Sequence, residues 1–186
     1  MGSGWLSVAT CCKLTADYEI MAVFIAIPLI GFLVILQSAI LSQVRLLNGT
    51  VDLVLLVLIA WSVQERVKTA WHWAVIGGLL VSLVSALPPI AVLTSYLLTT
   101  SCALLMRRAF WQRPLLALVT ATFLATLITH AVTVVALQVT GTSIPLQQAI
   151  NTITLPSAVL NLLLAIPIYA WIGDLANWLY PQEIEL

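Results

Sequence analysis

The feature that most constrains this sequence is a series of long apolar runs that lack charged residues. The run from Pro114 to Val139 contains one ionisable side chain, His130. A transmembrane helix needs about 20 predominantly apolar residues, because lipid offers backbone polar groups no hydrogen-bond partner. Continuous apolar runs without alternation indicate helices rather than strands. The sequence therefore predicts an all-α, polytopic integral membrane protein.

Six apolar stretches with short loops between them can be distinguished. They cover residues 20–41, 50–63, 71–87, 90–106, 114–139 and about 156–171. The second stretch is short for a bilayer core of about 30 Å, and it spans only with local thinning or a snorkelling Arg66. No repeat or linker marks a second domain, so we expect residues 1–186 to form a single transmembrane helical domain. Residues 1–18 would form a short N-terminal tail, and residues 175–186 an acidic interfacial C-terminal tail.

The low charge content excludes most soluble functions. Apolar residues make up 62% of the chain and charged residues 8%, whereas a soluble domain has about a quarter of its residues charged. Seven Lys and Arg residues balance seven Asp and Glu residues, so no net charge attracts nucleic acid. We therefore expect a phospholipid bilayer as the surroundings and no nucleic-acid partner.

The basic residues predict an orientation. With six spans, every Lys and Arg except Arg45 falls on one face, which the positive-inside rule makes cytoplasmic. This places both termini in the cytoplasm. If residues 50–66 did not span fully, the charge balance would be equally one-sided, but the N-terminus would lie outside. The seven tryptophans would all lie near the cytoplasmic interface of the six-span arrangement, which favours it. The candidate cytoplasmic contacts to partners or lipids are Arg66, Lys68, Arg107, Arg108 and Arg113.

No reactive centre is visible in the sequence. We find no metal-ligand spacing, no phosphate-binding loop and no nucleophile with a base, so we expect a protein without catalytic residues, metal or cofactor. His130 lacks an acidic partner within any predicted span, which favours a neutral, hydrogen-bonded imidazole over a proton carrier. The residues Thr122, Thr126, Thr129 and Thr133 form one stripe of a helix, for which helix packing is favoured over a ligand groove.

Small residues recur at every fourth position of the third stretch. They are Ala74, Gly78, Ser82 and Ala86. This spacing allows close approach of helix backbones in lipid. The stripe is a candidate face for helix packing or for a partner, and the spacing does not distinguish a neighbour in this chain from one in another.

Several short motifs resemble the rod shape-determining protein MreD family, over residues 20–180. Val51-Asp52-Leu53 is similar to the family's Pro-Asp-Leu entry to its second span, which makes Asp52 a family-motif position. Gly77-Gly78-Leu79-Leu80-Val81-Ser82 is similar to its Gly-Leu-x-x-Asp stretch. A Ser-Ala-Leu-Pro-Pro turn at residues 85–89 and a basic loop after the fourth span also fit. Two positions depart from the pattern, because Val51 replaces a proline and Ser82 replaces an acid.

The resemblance implies a non-enzymatic scaffold of the bacterial inner membrane. Such proteins associate with the membrane protein MreC. Through it they contact MreB, RodA and a class B penicillin-binding protein of the elongasome, which carries out peptidoglycan synthesis and sets cell shape. The alternative is the substrate-binding subunit of an energy-coupling-factor vitamin transporter. That function needs a polar pocket near the outer face, for which Gln138, Gln147, Gln148, Asn151 and Asn161 are the candidate residues.

Overall fold

Helices form the regular structure of the chain. The computed structural model describes residues 3–41, 50–141 and 153–180, and within these ranges it contains no strand, as the predicted all-α class requires. The described helices are α1 (Ser3–Leu36, continued by a π-helical turn, Gln37–Leu41), α2 (Leu53–Val63), α3 (Ala70–Val84), α4 (Pro89–Ala109), α5 (Pro114–Val139) and α6 (Leu155–Leu179).

Among the described residues, four helices are long and apolar enough to cross a membrane. The qualifying segments are Glu19–Ala39, Pro89–Ala109, Pro114–Val139 and Leu155–Leu179. Helices α2 and α3 have 11 and 15 residues and are shorter. Two boundaries differ from the sequence interpretation, because α1 already begins at Ser3 and α6 continues to Leu179. The described parts of both expected tails are therefore helical.

The short helix α2 forms the centre of the bundle. Every residue from Val54 to Val63 is buried, and α2 contacts each of the other five helices described above. A helix that is apolar on all sides belongs in an interior. Its 11 residues rise only about 16 Å at about 1.5 Å each. The unpaired backbone groups at both ends of this buried helix need hydrogen-bond partners from other helices.

Those partners come from α1 and α4. At the start of α2, the Gln37 side-chain oxygen accepts hydrogen bonds from the backbone N–H groups of Leu53 (3.0 Å) and Val54 (3.4 Å). At its end, the Arg107 guanidinium donates to the carbonyl oxygens of Ser62 (3.2 Å), Gln64 (2.9 Å) and Val67 (3.2 Å). Long polar side chains thus replace the water that would solvate these ends at a surface.

Contacts between helices define two ends of the bundle. We call them the Asp52 end and the Arg107 end. Thr50 donates its N–H to Ser157 Oγ at 2.8 Å, which brings the start of α6 to the Asp52 end. Arg66 Nη1 donates to Asn177 Oδ1 at 3.1 Å, which brings the last turns of α6 to the Arg107 end. The six described helices therefore alternate in direction along the chain.

Helix α3 packs closely through its glycines. A Cβ atom on Gly78 would lie 2.9 Å from Leu93 Cδ2 and 3.4 Å from Leu93 Cα on α4. A Cβ atom on Gly77 would lie 3.1 Å from Leu58 Cδ1 on α2. A side chain at Gly78 would require Leu93 to shift, and one at Gly77 would require Leu58 to give way slightly, so the two glycines permit close packing of α3 against α4 and α2.

Two tryptophans are core residues. The rings of Trp61 and Trp73 stack with centroids 4.2 Å apart, and both side chains have 0% exposure. Trp61 Nε1 donates to Thr69 Oγ1 at 3.4 Å. Interfacial anchoring, expected for most of the tryptophans, therefore does not apply to this pair. It remains compatible with four exposed rings, namely Trp71, Trp111, Trp171 and Trp178.

Candidate functional site

Asp52 caps the buried helix α2 and connects it to α4. Its Oδ1 accepts the backbone N–H of Leu55 at 3.0 Å, and its carboxylate accepts the Tyr96 hydroxyl at 3.3 Å (Oδ1) and 3.2 Å (Oδ2). Asp is a preferred N-cap residue because its carboxylate pairs with a first-turn N–H that the helix leaves free. Tyr96 lies on α4 and is 2% exposed. The family-motif position is therefore a structural joint between two helices.

A second chain of hydrogen bonds connects Asp52 to α5 and α6. Its backbone N–H donates to Asn161 Oδ1 at 3.3 Å, and Asn161 Nδ2 donates to Thr126 Oγ1 at 3.1 Å. Both Asn161 and Thr126 are 1% exposed. Buried polar groups persist in an apolar core only when they are paired in this way. We call Gln37, Thr50, Asp52, Tyr96, Thr126, Ser157 and Asn161 the Asp52 cluster.

Two cavities adjoin the Asp52 cluster. The α5–α6 cavity has a volume of about 240 Å³, and its lining includes Asp52, Asn161 and His130. The α4–α5 cavity has a volume of about 320 Å³, and its lining includes Asp52, Gln37 and Tyr96. Thr50, Asp52, Thr129 and Thr133 line both cavities. Asp52 therefore presents a carboxylate at the boundary between two internal spaces.

His130 and Asp52 line the same α5–α6 cavity. The sequence interpretation found no acidic partner for His130 within any predicted span, because Asp52 falls at the edge of an apolar stretch. In the structure this edge lies inside the bundle, since α2 is short and central. No hydrogen bond joins the two side chains. The threonine stripe contributes to the same place, because Thr126, Thr129 and Thr133 line the cavity and Thr122 is buried beside it in α5.

The other candidate pocket residues are placed differently. Asn161 is a member of the Asp52 cluster, whereas Gln138 is exposed and absent from the lining of both cavities. Gln147, Gln148 and Asn151 lie outside the described residues. A cavity with several polar lining residues is thus present at the Asp52 end, and Asn161 is the one member of the predicted set in its described lining.

The candidate cytoplasmic residues lie at the Arg107 end. Arg66, Lys68, Arg108 and Arg113 are exposed there. Arg107 is only partly exposed, because its guanidinium binds the carbonyl groups that end α2. Its position supports a structural function. Arg66 is hydrogen-bonded to Asn177, while Lys68, Arg108 and Arg113 remain open to a partner or to lipid headgroups.

The two halves of the small-residue stripe lie in different surroundings. Ala74 and Gly78 are buried within the bundle, and Gly78 faces Leu93. Ser82 donates its hydroxyl to Leu79 O of its own helix at 2.7 Å, and Ala86 is exposed beyond the end of α3. The first half of the stripe therefore packs inside this chain, and the second half faces outward.

Sequence reasoning did not single out Gln37, Tyr96 or Ser157. Each is a polar residue within or beside an apolar stretch, and Asp52 directly precedes an apolar run, as an N-cap does. These signals point to buried polar positions. They do not indicate that these three residues lie close to Asp52, because the hydrogen bonds of the Asp52 cluster join residues up to 109 positions apart in the sequence.

The described polar groups that line the two cavities are a carboxylate, amides, an imidazole and hydroxyls. No serine or cysteine in the lining of either cavity is hydrogen-bonded to His130, so the described residues offer no activated nucleophile. They also contain no group of three or more His, Cys, Asp and Glu side chains that could hold a metal ion. The carboxylate, amides, imidazole and hydroxyls are suited to hold a polar ligand or to join helices.

Comparisons with known proteins give no match. No protein-family model, curated protein or solved structure is significantly similar to this chain.

Proposed function

We propose that this protein is a non-enzymatic scaffold of the bacterial inner membrane, similar to MreD, in the complex that synthesises peptidoglycan during cell elongation. The observation that carries the proposal is the position of the two quoted motifs. Asp52 joins α2 to α4, and the Gly77-Gly78 pair brings α3 against α2 and α4. The residues that resemble the family are therefore the residues that assemble this bundle, which supports a shared architecture.

The proposed topology has six spans with both termini in the cytoplasm. It is supported by the alternating direction of the helices and by the exposed basic residues at the Arg107 end. The two short helices reach across the bilayer only together with their flanking turns. Gln37 and Arg107 supply the backbone partners that lipid lacks at the ends of α2.

The proposed partners are an MreC-like membrane protein and, through it, MreB, RodA and a class B penicillin-binding protein. Lys68, Arg108 and Arg113 are exposed at the end assigned to the cytoplasm and are available to such partners. Exposed apolar residues such as Phe24, Phe32 and Ile35 on α1 provide a lateral surface for lipid or for a partner's transmembrane helix.

Co-purification tests this function. The tagged chain, expressed at native level, is extracted in mild detergent, and its co-purifying proteins are identified by mass spectrometry. We expect an MreC-like protein together with RodA or a penicillin-binding protein. Recovery of a pair of transport ATPases instead would overturn the scaffold proposal.

The alternative is a substrate-binding transporter subunit, and one observation favours it. The cavities beside Asp52 provide the polar pocket that such a subunit requires. An ATPase pair in the same co-purification would support this alternative.

A further inference from the structure

The carboxylate of Asp52 has no cationic partner among the described residues. Its described hydrogen-bond donors, which are the Leu55 and Val54 N–H groups, the Tyr96 hydroxyl and the Gln37 side-chain amide, are neutral. No lysine or arginine is among the described residues that line the two cavities. An ionisable side chain in a membrane interior is expensive and is retained where it pairs or acts. A positively charged occupant of the cavity would provide the missing pair.

The cavity wall beside Asp52 offers further unpaired polar groups. The Thr129 hydroxyl is buried and has no hydrogen-bond partner among the described residues, and Thr129 lines both cavities. His130 is without a hydrogen bond to any described side chain, and it lines the α5–α6 cavity. An unpaired buried polar group destabilises a folded structure, so a ligand that satisfies the Thr129 hydroxyl gains affinity.

The size and ligand set of the α5–α6 cavity limit the occupant. A volume of about 240 Å³ lies below the range of about 300–1,000 Å³ typical of sites for drug-sized ligands. The described residues include no metal-binding group of three His, Cys, Asp or Glu side chains. A small organic cation fits these limits better than a divalent metal ion or a large solute.

We propose that the α5–α6 cavity binds a small primary ammonium compound that also carries a hydroxyl group. The ammonium group pairs with the Asp52 carboxylate, and the hydroxyl group bonds to the Thr129 and His130 side of the wall. Because Asp52 joins α2 to α4 and, through Asn161, to α6, the occupant would stabilise the joint of three helices. This site does not depend on the proposed scaffold function, since it rests on the cavity alone.

The test uses ethanolamine as the probe and thermal unfolding of the detergent-purified full chain as the readout. Tryptophan fluorescence reports unfolding, because Trp61 and Trp73 are buried together. Ethanolamine hydrochloride is compared with sodium chloride at equal ionic strength and with neutral ethylene glycol. A ligand that binds only the folded state raises the unfolding temperature, here by at least about 2 °C near saturation.

Variants distinguish the site from a general salt effect. Asp52→Asn keeps an N-cap acceptor for Leu55 and should fold, yet it removes the charge and should abolish the shift. Thr129→Val keeps the shape and should reduce the shift. Asp174→Asn changes an exposed carboxylate on α6 and should leave it intact.

Four results would overturn the proposal. Three of them are an equal shift with ethylene glycol, a shift produced by sodium alone, and a shift that persists in Asp52→Asn. A fourth concerns Arg45, which lies outside the described residues. If ethanolamine raised the unfolding temperature of Arg45→Gln but not that of the wild-type chain, the Arg45 guanidinium would already pair with the Asp52 carboxylate, and the ligand proposal would be wrong. Co-purification results bear on the scaffold function and leave this test unaffected.

Discussion

At the scale of single residues, the polar side chains that enter the apolar bundle mainly satisfy a buried helix. Asp52, Gln37 and Arg107 pair with the backbone groups at the two ends of the buried helix α2. In water such groups would be solvated at little loss, whereas in a membrane-embedded bundle each unpaired group is strongly unfavourable. Residues that a sequence pattern assigns to charge or topology thus have a structural function here.

Replacing Asp52 tests its function as a joint. Asp52→Ala removes the N-cap, worth about 1 kcal/mol, and leaves the buried Tyr96 hydroxyl without its acceptor, at about 1–3 kcal/mol. We expect a clear fall in the unfolding temperature in detergent, with a smaller fall for Asp52→Asn. The control is Asp174→Ala, which changes an exposed carboxylate. Equal stability of all three variants would show that the Asp52 contacts do not hold the helices together.

Replacing Arg107 tests whether this side chain caps α2. Arg107→Met keeps an extended apolar stem but removes the donor that Ser62 O, Gln64 O and Val67 O share, and only Gln64 O keeps another donor, Val67 N–H. Unfolding should therefore become easier by about 1–3 kcal/mol. The matched control is Arg108→Met, since Arg108 is the exposed neighbour. Thermal unfolding compares the two. If Arg108→Met were the more damaging change, the cap would be unimportant and a surface contact of Arg108 would dominate.

At the scale of elements, the packing of α3 against α4 depends on Gly78. The spacing of small residues predicted a close helix contact, and the structure places one at Leu93. The sequence could not identify the neighbour, because small residues permit a close approach from any helix. It also could not show that the outer half of the same stripe would face away from the bundle, since that depends on where α3 ends.

We expect Gly78→Leu to destabilise the bundle by about 1–3 kcal/mol, because a side chain there collides with Leu93 and forces α3 and α4 apart. Gly31→Leu is the matched control, since a Cβ at Gly31 meets no atom within 4 Å. Fluorescence-detected gel filtration after heating measures both. A monodisperse, heat-stable Gly78→Leu protein would contradict the observed contact.

The buried position of α2 illustrates what sequence reasoning misses. Residues 50–63 form an apolar stretch that looks like a short, doubtful span, and the stretch does correspond to a helix. Its central place depends on contacts from Gln37, Asn161 and Arg107, which lie up to 109 positions from their partners. Hydropathy reports how apolar a helix is, whereas these pairings decide which helix the others surround.

At the scale of the whole molecule, the all-α fold class and the number of apolar segments follow directly from the sequence, because lipid permits few other backbone arrangements. The cavities do not follow, since they result from imperfect packing around a polar cluster. Their position at the Asp52 end, away from the exposed basic residues, separates two surfaces of the molecule. One exposes basic side chains, and the other adjoins the two cavities.

The proposed topology is tested by cysteine accessibility. In a variant without Cys11, Cys12 and Cys102, a new cysteine at Ser3 should resist an impermeant maleimide in intact cells and react after the membrane is opened. A cysteine introduced at Gly141, at the Asp52 end, should react in intact cells. The reverse pattern would show that the bundle has the opposite orientation in the membrane. Labelling at both positions would place both on the outer face, which requires an even number of spans between them and contradicts the six-span arrangement.

The central claim is that this chain organises the synthesis of the cell wall during elongation, and depletion in its own host tests it most directly. Cell width and the incorporation of a fluorescent D-amino acid along the side wall are measured as the protein is lost. We predict that cells widen and that side-wall incorporation falls, with rescue by the wild-type chain and weaker rescue by Gly78→Leu. Unchanged shape and labelling, accompanied by loss of uptake of a small solute, would contradict the account.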